Sequence, residues 1–270
     1  MDINFTNKVV LVTGASAGIG EAISLLFAKC GAQLVLVGRN EENLLEVAGR
    51  CETERGLKPV TIVADLSTDD GCDKTVKETL DKCKRLDVLV NNAGISARTC
   101  LLETDMAIFD QVFNLDVRGV YNLTRQLVPA LIETKGNIVN ISSIAATMVV
   151  VGNLPYAMAK AALDHFTRVT ALELAPKGVR VNAVSPGVTV SKIVQRMTGY
   201  TDEQYQIWLE KTAHLIPMGQ VCVGEDIAKT VVHLASDHSR LTTGAIVPID
   251  GGAQFLGATS IIKEQMKSAN

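Results

Sequence analysis

Tyr156 and Lys160 stand four residues apart in the segment Tyr156-Ala-Met-Ala-Lys160. On a helix, positions i and i+4 share a face, so the phenol and the ammonium can meet. A phenol with an ordinary pKa of about 10 is a poor acid–base group at neutral pH. A cation about 4 Å away, at an effective dielectric of about 20, favours the phenolate by roughly 4 kcal/mol before the opposing cost of desolvation. The pair is a candidate proton donor and acceptor. By itself its spacing is also that of ordinary helix-surface packing, so its surroundings must decide.

A second chemical device lies near the amino end. Thr13-Gly14-Ala15-Ser16-Ala17-Gly18-Ile19-Gly20 joins the apolar run Val9-Val10-Leu11-Val12 to a helical pattern. Glycines here let the backbone turn sharply and approach a pyrophosphate. The helix start behind them offers free N–H groups and a positive dipole end. The spacing is GxxxGxG rather than GxGxxG, and it is the placement between first strand and first helix that marks a dinucleotide loop. Where an NAD site often carries an acid for the ribose 2′-hydroxyl, at the end of the second strand, stand Gly38-Arg39-Asn40. Gly38 brings no carboxylate, and Arg39 brings a planar fork suited to a 2′-phosphate. NADP is therefore expected, with NAD the less favoured cofactor. Glu41 reaches a ribose hydroxyl only if the strand register is misread.

These groups need elements to hold them, and the chain alternates short apolar runs with helical periodicity. Runs at 9–12, 34–37, 60–63, 88–90, 138–141, 179–184 and 245–249 read as strands. Between the first two, Ile19, Ala22, Ile23, Leu26, Phe27 and Cys30 repeat at helical spacing, and Gly31 stops the helix. Asn40 is placed to cap the next helix. Further helices are expected at about 103–133, 155–175, 202–213 and 225–236. Strands alternating with helices imply right-handed βαβ crossovers. The expected fold is α/β: a Rossmann-type, doubly wound parallel sheet of about seven strands with helices on both faces. Residues 1–270 read as one domain. The mixed segment at about 186–224, punctuated by Pro186, Gly187, Gly199, Pro217 and Gly219, is expected over the ligand crevice.

In order along this pattern come TGxxxGxG at 13–20, Asp65 after the third strand, Asn91-Asn92-Ala93-Gly94 after the fourth, and Asn114. Asn140-Ile141-Ser142-Ser143, Tyr156 with Lys160, Pro186-Gly187 and Asp250-Gly251-Gly252 follow. From about residue 7 to 255 the chain resembles the short-chain dehydrogenase/reductase family. The resemblance implies that Tyr156 is the general acid in carbonyl reduction and the base in alcohol oxidation. Lys160 would favour the phenolate and hold the nicotinamide ribose, and Ser143, 13 residues before Tyr156, would donate to the substrate carbonyl. Asn114 would hold a water of a proton relay. Gly14, Ser16, Gly18, Ile19 and Gly20 would cradle the phosphates, and Asp65 and Leu66 would meet the adenine. Asn92, Ala93 and Gly94 would line the adenosine side, and Pro186, Gly187 and Val188 the nicotinamide. Ser191 stands where a threonine is usual, with Thr189 a competing contact. Ser142 and Asp250-Gly251-Gly252 would be structural. A homotetramer, or a homodimer, would associate through the helices near 105–133 and 155–175.

The 270 residues carry 26 Lys and Arg against 29 Asp and Glu, which leaves no basic field for nucleic acid or acidic membranes. Aromatic residues make up only 4%, so platforms for stacking single strands are few. No apolar run has the length of a membrane span, and the first residues do not read as a secretory signal. The six dispersed cysteines read as free thiols in a reducing, cytoplasmic setting. His165, His214, His233 and His238 lack metal-ligand spacing, so no metal is expected, with His214 the one to watch. Ile193, Val194, Met197, Tyr200, Tyr205, Ile207, Trp208, Leu215, Ile216 and Met218 offer an apolar lining, extended by 148–151 and Leu154. If some of them face the cleft, the substrate is a fairly apolar carbonyl compound or secondary alcohol, such as a steroid-, isoprenoid- or acyl-like molecule. Lys192, Arg196 and Lys211 leave a phosphorylated one open. The competing reading is a non-catalytic NADP-binding sensor or scaffold, which has no need of Asn114, Ser143, Tyr156 and Lys160 together. Ile261 and Ile262, in the last stretch, would fold over a neighbouring subunit or stay loose.

Overall fold

Val9–Thr13 is buried at all five positions, as a parallel strand covered on both faces must be. This is β1. The other strands are β2 (Gln33–Gly38), β3 (Val60–Val63), β4 (Val88–Asn91), β5 (Asn137–Ile141), β6 (Arg180–Pro186) and β7 (Ile246–Ile249). All pair in parallel in the order β3-β2-β1-β4-β5-β6-β7. The computed structural model describes residues 3–97, 99–149, 151–191, 195 and 198–256.

Side chains alternate across the sheet and divide the core in two. Val10 and Val12 face Ile23 and Phe27 of α1 (Gly18–Lys29), Leu44 and Val47 of α2 (Glu41–Arg55), and a third helix described below. Val9 and Leu11 face the opposite layer of α3 (Asp69–Cys83), α5 (Val120–Thr134) and α6 (Leu154–Leu174), including Leu123, Leu127 and Leu174. The ends of the helices follow side-chain chemistry. Asn40 caps α2 by accepting the Asn43 N–H at 2.8 Å, and Thr68 caps α3 by accepting that of Gly71 at 3.1 Å.

The long helix expected at 103–133 is interrupted. α4 (Met106–Phe113) passes into a π-helical turn, Asn114–Gly119, before α5 begins. A π turn inserts one residue into the helical repeat, and hydrophobic periodicity does not reveal it. Gly119 is there for space, since a Cβ would lie 2.2 Å from the Leu66 carbonyl oxygen. In the segment at about 186–224, a parallel bridge between Thr189 and Cys222 closes the base. Within it lies α7 (Asp202–Leu215), and α8 (Gly224–Ala235) follows to complete the α1 layer. Lys192, Ile193, Val194, Arg196, Met197, Val150, Ile261 and Ile262 lie outside the described residues.

Candidate active site

β1 sits between β2 and β4, and the chain leaves β1 and β4 toward helices on opposite faces of the sheet. A crevice must open at their carboxyl ends. It is a cleft of about 740 Å³.

The first wall is the loop after β1. Gly14 and Gly18 have φ of +64° and +61°, the left-handed region that favours glycine. The α1 N-cap is Ala17, whose side chain makes no capping bond. Gly18 and Ile19 open the helix at the cleft with no side-chain cap on their N–H groups, a donor set that fits a pyrophosphate. Gly14, Ser16, Gly18 and Ile19 line the cleft, but Gly20 does not. Gly20 is buried behind the loop, where a Cβ would lie 2.2 Å from the Gly14 carbonyl oxygen. The missing side chain lets the helix approach the loop. Asn92 fixes the other side, donating from Nδ2 to the Thr13 carbonyl at 2.8 Å.

β2 ends at Gly38, so Arg39 and Asn40 line the cleft while Glu41 opens α2 outside it. The Arg39 guanidinium lies 3.6 Å from Asp65 Oδ2. Asp65 Oδ1 accepts from Ser67 N–H at 3.0 Å and from its hydroxyl at 2.8 Å. Burial alone would raise the Asp65 pKa, but the Ser67 donors and Arg39 outweigh it and hold the carboxyl below its ordinary value. Leu66, Ala93, Gly94, Pro186, Gly187, Val188 and Ser191 also line the cleft. The Val188 carbonyl accepts the Cys222 N–H at 2.9 Å. The Thr189 hydroxyl donates to the Gly187 carbonyl at 3.0 Å. Ser191 is clamped by Tyr205 of α7, whose hydroxyl accepts its N–H and donates to its carbonyl, both at 3.0 Å.

The proton-handling groups meet at the β5 end and the start of α6. Tyr156 is half-buried on the cleft wall, with Lys160 Nζ 5.4 Å from its ring centroid. Lys160 is buried and donates to the Ile141 carbonyl at 3.1 Å. Ser143 Oγ accepts the Ala145 N–H at 3.1 Å, which fixes the hydroxyl on the cleft wall. Ser142 is buried and donates to buried Asp164 at 2.5 Å.

Asn114 is not among these groups. It is exposed at the first position of the π turn and lines no part of the cleft. Two residues on, Asp116 has a fully buried side chain, with Oδ2 3.1 Å from Lys160 Nζ and Oδ1 accepting the Ile95 N–H at 2.9 Å. The side chain that faces Lys160 is the carboxyl of Asp116, not the amide of Asn114. Helical residues two apart point to nearly opposite sides, and the amide drew attention where the carboxylate faces in. Burial alone would lower the Lys160 pKa. Asp116, Tyr156 and Asp164 outweigh it, so the ammonium is held above its ordinary value. For Asp116, burial raises the pKa by more than Lys160 and the Ile95 N–H lower it. The Nζ–Oδ2 contact is an ion pair without hydrogen-bond alignment, since Oδ2 accepts no well-aligned bond.

Sequence reasoning also missed Ser96 and Asn153, which both line the cleft, with Ser96 Oγ donating to Asn153 Oδ1 at 3.0 Å. They sit in loops with no periodic signal. Of the apolar residues expected over the cleft, Met148 and Trp208 line it. Tyr205 and Ile216 are core residues instead, and Leu215, Met218, Val149 and Val151 are largely exposed. All four histidines are exposed. The described residues hold no cluster of three metal ligands and no helix long and apolar enough to cross a membrane.

Comparison with known proteins places this geometry among reductases and dehydrogenases. Residues 14–254 match the family model described as enoyl-(acyl carrier protein) reductase. A 3-oxoacyl-[acyl-carrier-protein] reductase (FabG) of Thermotoga maritima is 35% identical over 91% of this chain and 97% of its own. A (+)-borneol dehydrogenase of Salvia officinalis is 34% identical over 93% and 91%. A short-chain dehydrogenase/reductase of Caenorhabditis elegans, solved with its cofactor, superposes with a TM-score of 0.89 at 35% identity, covering 95% of this chain and 98% of that one. Two further solved neighbours, each 30% identical, carry different nicotinamides. L-sorbose reductase of Gluconobacter frateurii holds NADPH (TM-score 0.88, covering 94% and 99%). The 3-ketoacyl reductase of Brucella melitensis holds NADH (0.84, covering 92% and 99%).

Proposed function

Because the chain belongs to the short-chain dehydrogenase/reductase family, whose members are oxidoreductases of carbonyl and alcohol groups, we propose that it interconverts a carbonyl compound and a secondary alcohol with NADP(H). The observation that carries this reading is Tyr156 on the wall of the cleft, beside the buried ammonium of Lys160 and near Ser143. The bound nicotinamide supplies the hydride in reduction and accepts it in oxidation. In reduction, Tyr156 donates its hydroxyl proton to the substrate oxygen as negative charge develops there. Ser143 steadies that oxygen with its own hydroxyl. Lys160 compensates the phenolate left behind and would hold the nicotinamide ribose. Val188, whose carbonyl accepts the Cys222 N–H, would offer its N–H to the carboxamide.

The preference for NADP rests on Arg39 at the end of β2, next to Gly38. A side chain at Gly38 would crowd Ser16 Oγ at 3.2 Å, so no carboxylate stands there to repel a 2′-phosphate. Met148, Trp208 and Ile144 on the wall support a substrate with an apolar body, while Ser96 and Asn153 offer polar contacts there. The relatives named for 3-oxoacyl and borneol substrates bracket that range. A single domain serves both cofactor and substrate. Its six free cysteines fit a reducing, cytoplasmic setting.

The test is Tyr156→Phe, assayed with NADPH against a panel of ketones and diketones. Turnover should fall by about 10³-fold, with NADPH binding and thermal stability kept. Near-normal turnover in a folded Tyr156→Phe protein would refute the reading.

A further inference from the structure

We propose that Asp116 is a positioning residue that compensates the charge of Lys160 and so keeps Tyr156 a proton donor at neutral pH. This rests on the reading above, in which Tyr156 moves the proton. Three observations meet at one point. The Asp116 side chain is fully buried, and its Oδ2 lies 3.1 Å from the Lys160 ammonium. Its Oδ1 is tied to the Ile95 N–H at 2.9 Å, so the carboxyl cannot swing away. Gly94 leaves room for the pair, since a Cβ there would stand 2.9 Å from Asp116 Oδ2 and 3.3 Å from Lys160 Nζ.

A bare buried ammonium beside a phenol favours the phenolate. A carboxylate 3 Å away on the other side cancels much of that field. Asp116 reaches Lys160 from the π turn. Lys160 and Tyr156 come from α6, and α6 also brings Asp164, which acts on Lys160 and is itself faced by Ser142 and Arg168. With two carboxyls around one ammonium, the proton is retained on the phenol to a higher pH than Lys160 alone would allow. Burial of Lys160 and Asp116 makes this compensation insensitive to salt. The equilibrium between carbonyl and alcohol is untouched. What shifts is the pH range over which Tyr156 is the acid, as reduction requires, rather than the base.

The experiment is Asp116→Asn, which keeps the shape and removes the charge. The rising limb of kcat/KM for alcohol oxidation should move down by about one pH unit, and the alkaline fall of carbonyl reduction should move with it. A profile that superimposes on the wild type overturns the proposal, because a neutral or merely structural Asp116 would leave both limbs in place. If the variant turns over too slowly to profile, the ultraviolet phenolate signal of Tyr156 is read instead, isolated by subtracting Tyr156→Phe. Its rise at lower pH in the Asp116→Asn protein supports the proposal, and an unchanged rise overturns it. Should the amide fail to fold, Asp116→Ser takes its place in the same measurements. An active Tyr156→Phe enzyme sinks the parent reading; an unmoved profile with an inactive Tyr156→Phe sinks this inference alone.

Discussion

Arg39 shows how much one side chain can carry. It stands beside Gly38 on the wall of the cleft, with Asp65 Oδ2 3.6 Å away. A guanidinium in that place recognises a phosphate monoester through paired N–H donors. Arg39→Ala should therefore raise the KM for NADPH by about 10–100-fold, corresponding to about 1.5–3 kcal/mol for a charge-assisted contact, and change the KM for NADH little. Steady-state kinetics with both cofactors checks this, and equal effects on the two would remove Arg39 from the 2′-phosphate. Most of the wall was legible at this scale because glycines, Ser143, Tyr156 and Lys160 sit at strand ends or helix starts whose direction the sequence implies. Asp116 was not. Asn114 and Asp116 are both short polar residues in one helical stretch, and only the turn of the chain decides which of them meets Lys160.

At the scale of elements, strand positions and helix caps follow from local pattern, but what aligns the strands does not. Asp87, just before β4, ties three strands at their amino ends. Its Oδ2 accepts the Val9 N–H at 2.9 Å, its own N–H reaches the Val9 carbonyl at 2.9 Å, and its carbonyl accepts the Asn137 N–H at 2.8 Å. Burial alone would raise its pKa, but Arg85, the Val9 N–H and Lys8 outweigh it and hold the carboxyl below its ordinary range. A depressed folded pKa means stability that is fully present above about pH 4, the ordinary carboxylate value, and is lost as pH falls through the lower folded value. Asp87→Asn should cost about 2 kcal/mol at pH 7. The gap between it and the wild type should close below about pH 4. Urea unfolding across pH 2–8 measures this (pH range on the order of the carboxylate titration); a gap that persists in acid would show that Asp87 acts through packing alone. The π turn belongs to the same scale. Its inserted residue aims Asp116 inward, and hydrophobic spacing carries no trace of it.

On the whole molecule, α4, α5 and α6 leave an apolar outer side, with Leu172 80% and Met106 63% exposed, alongside Tyr121, Met158 and Val169. Apolar area of this kind on helices that cover a core is a candidate contact between copies of the chain, and the homotetramer or homodimer expected from the sequence would use it. Leu172→Glu should convert the wild-type oligomer to smaller species in light scattering at micromolar concentration. A monomeric wild type would remove the premise. The sequence by itself determined the α/β class, the strand-helix alternation, the glycine-rich turn after the first strand and the Tyr156–Lys160 pair, because those depend on periodicity and on residues close together in the chain. Only the tertiary structure decided that Asp116 rather than Asn114 faces Lys160, that Gly20 supports the loop from behind, and that Ser96 and Asn153 meet on the cleft wall. Each of those depends on how segments distant in the chain pack together, where space, burial and opposing charge are set by neighbours that local pattern does not name.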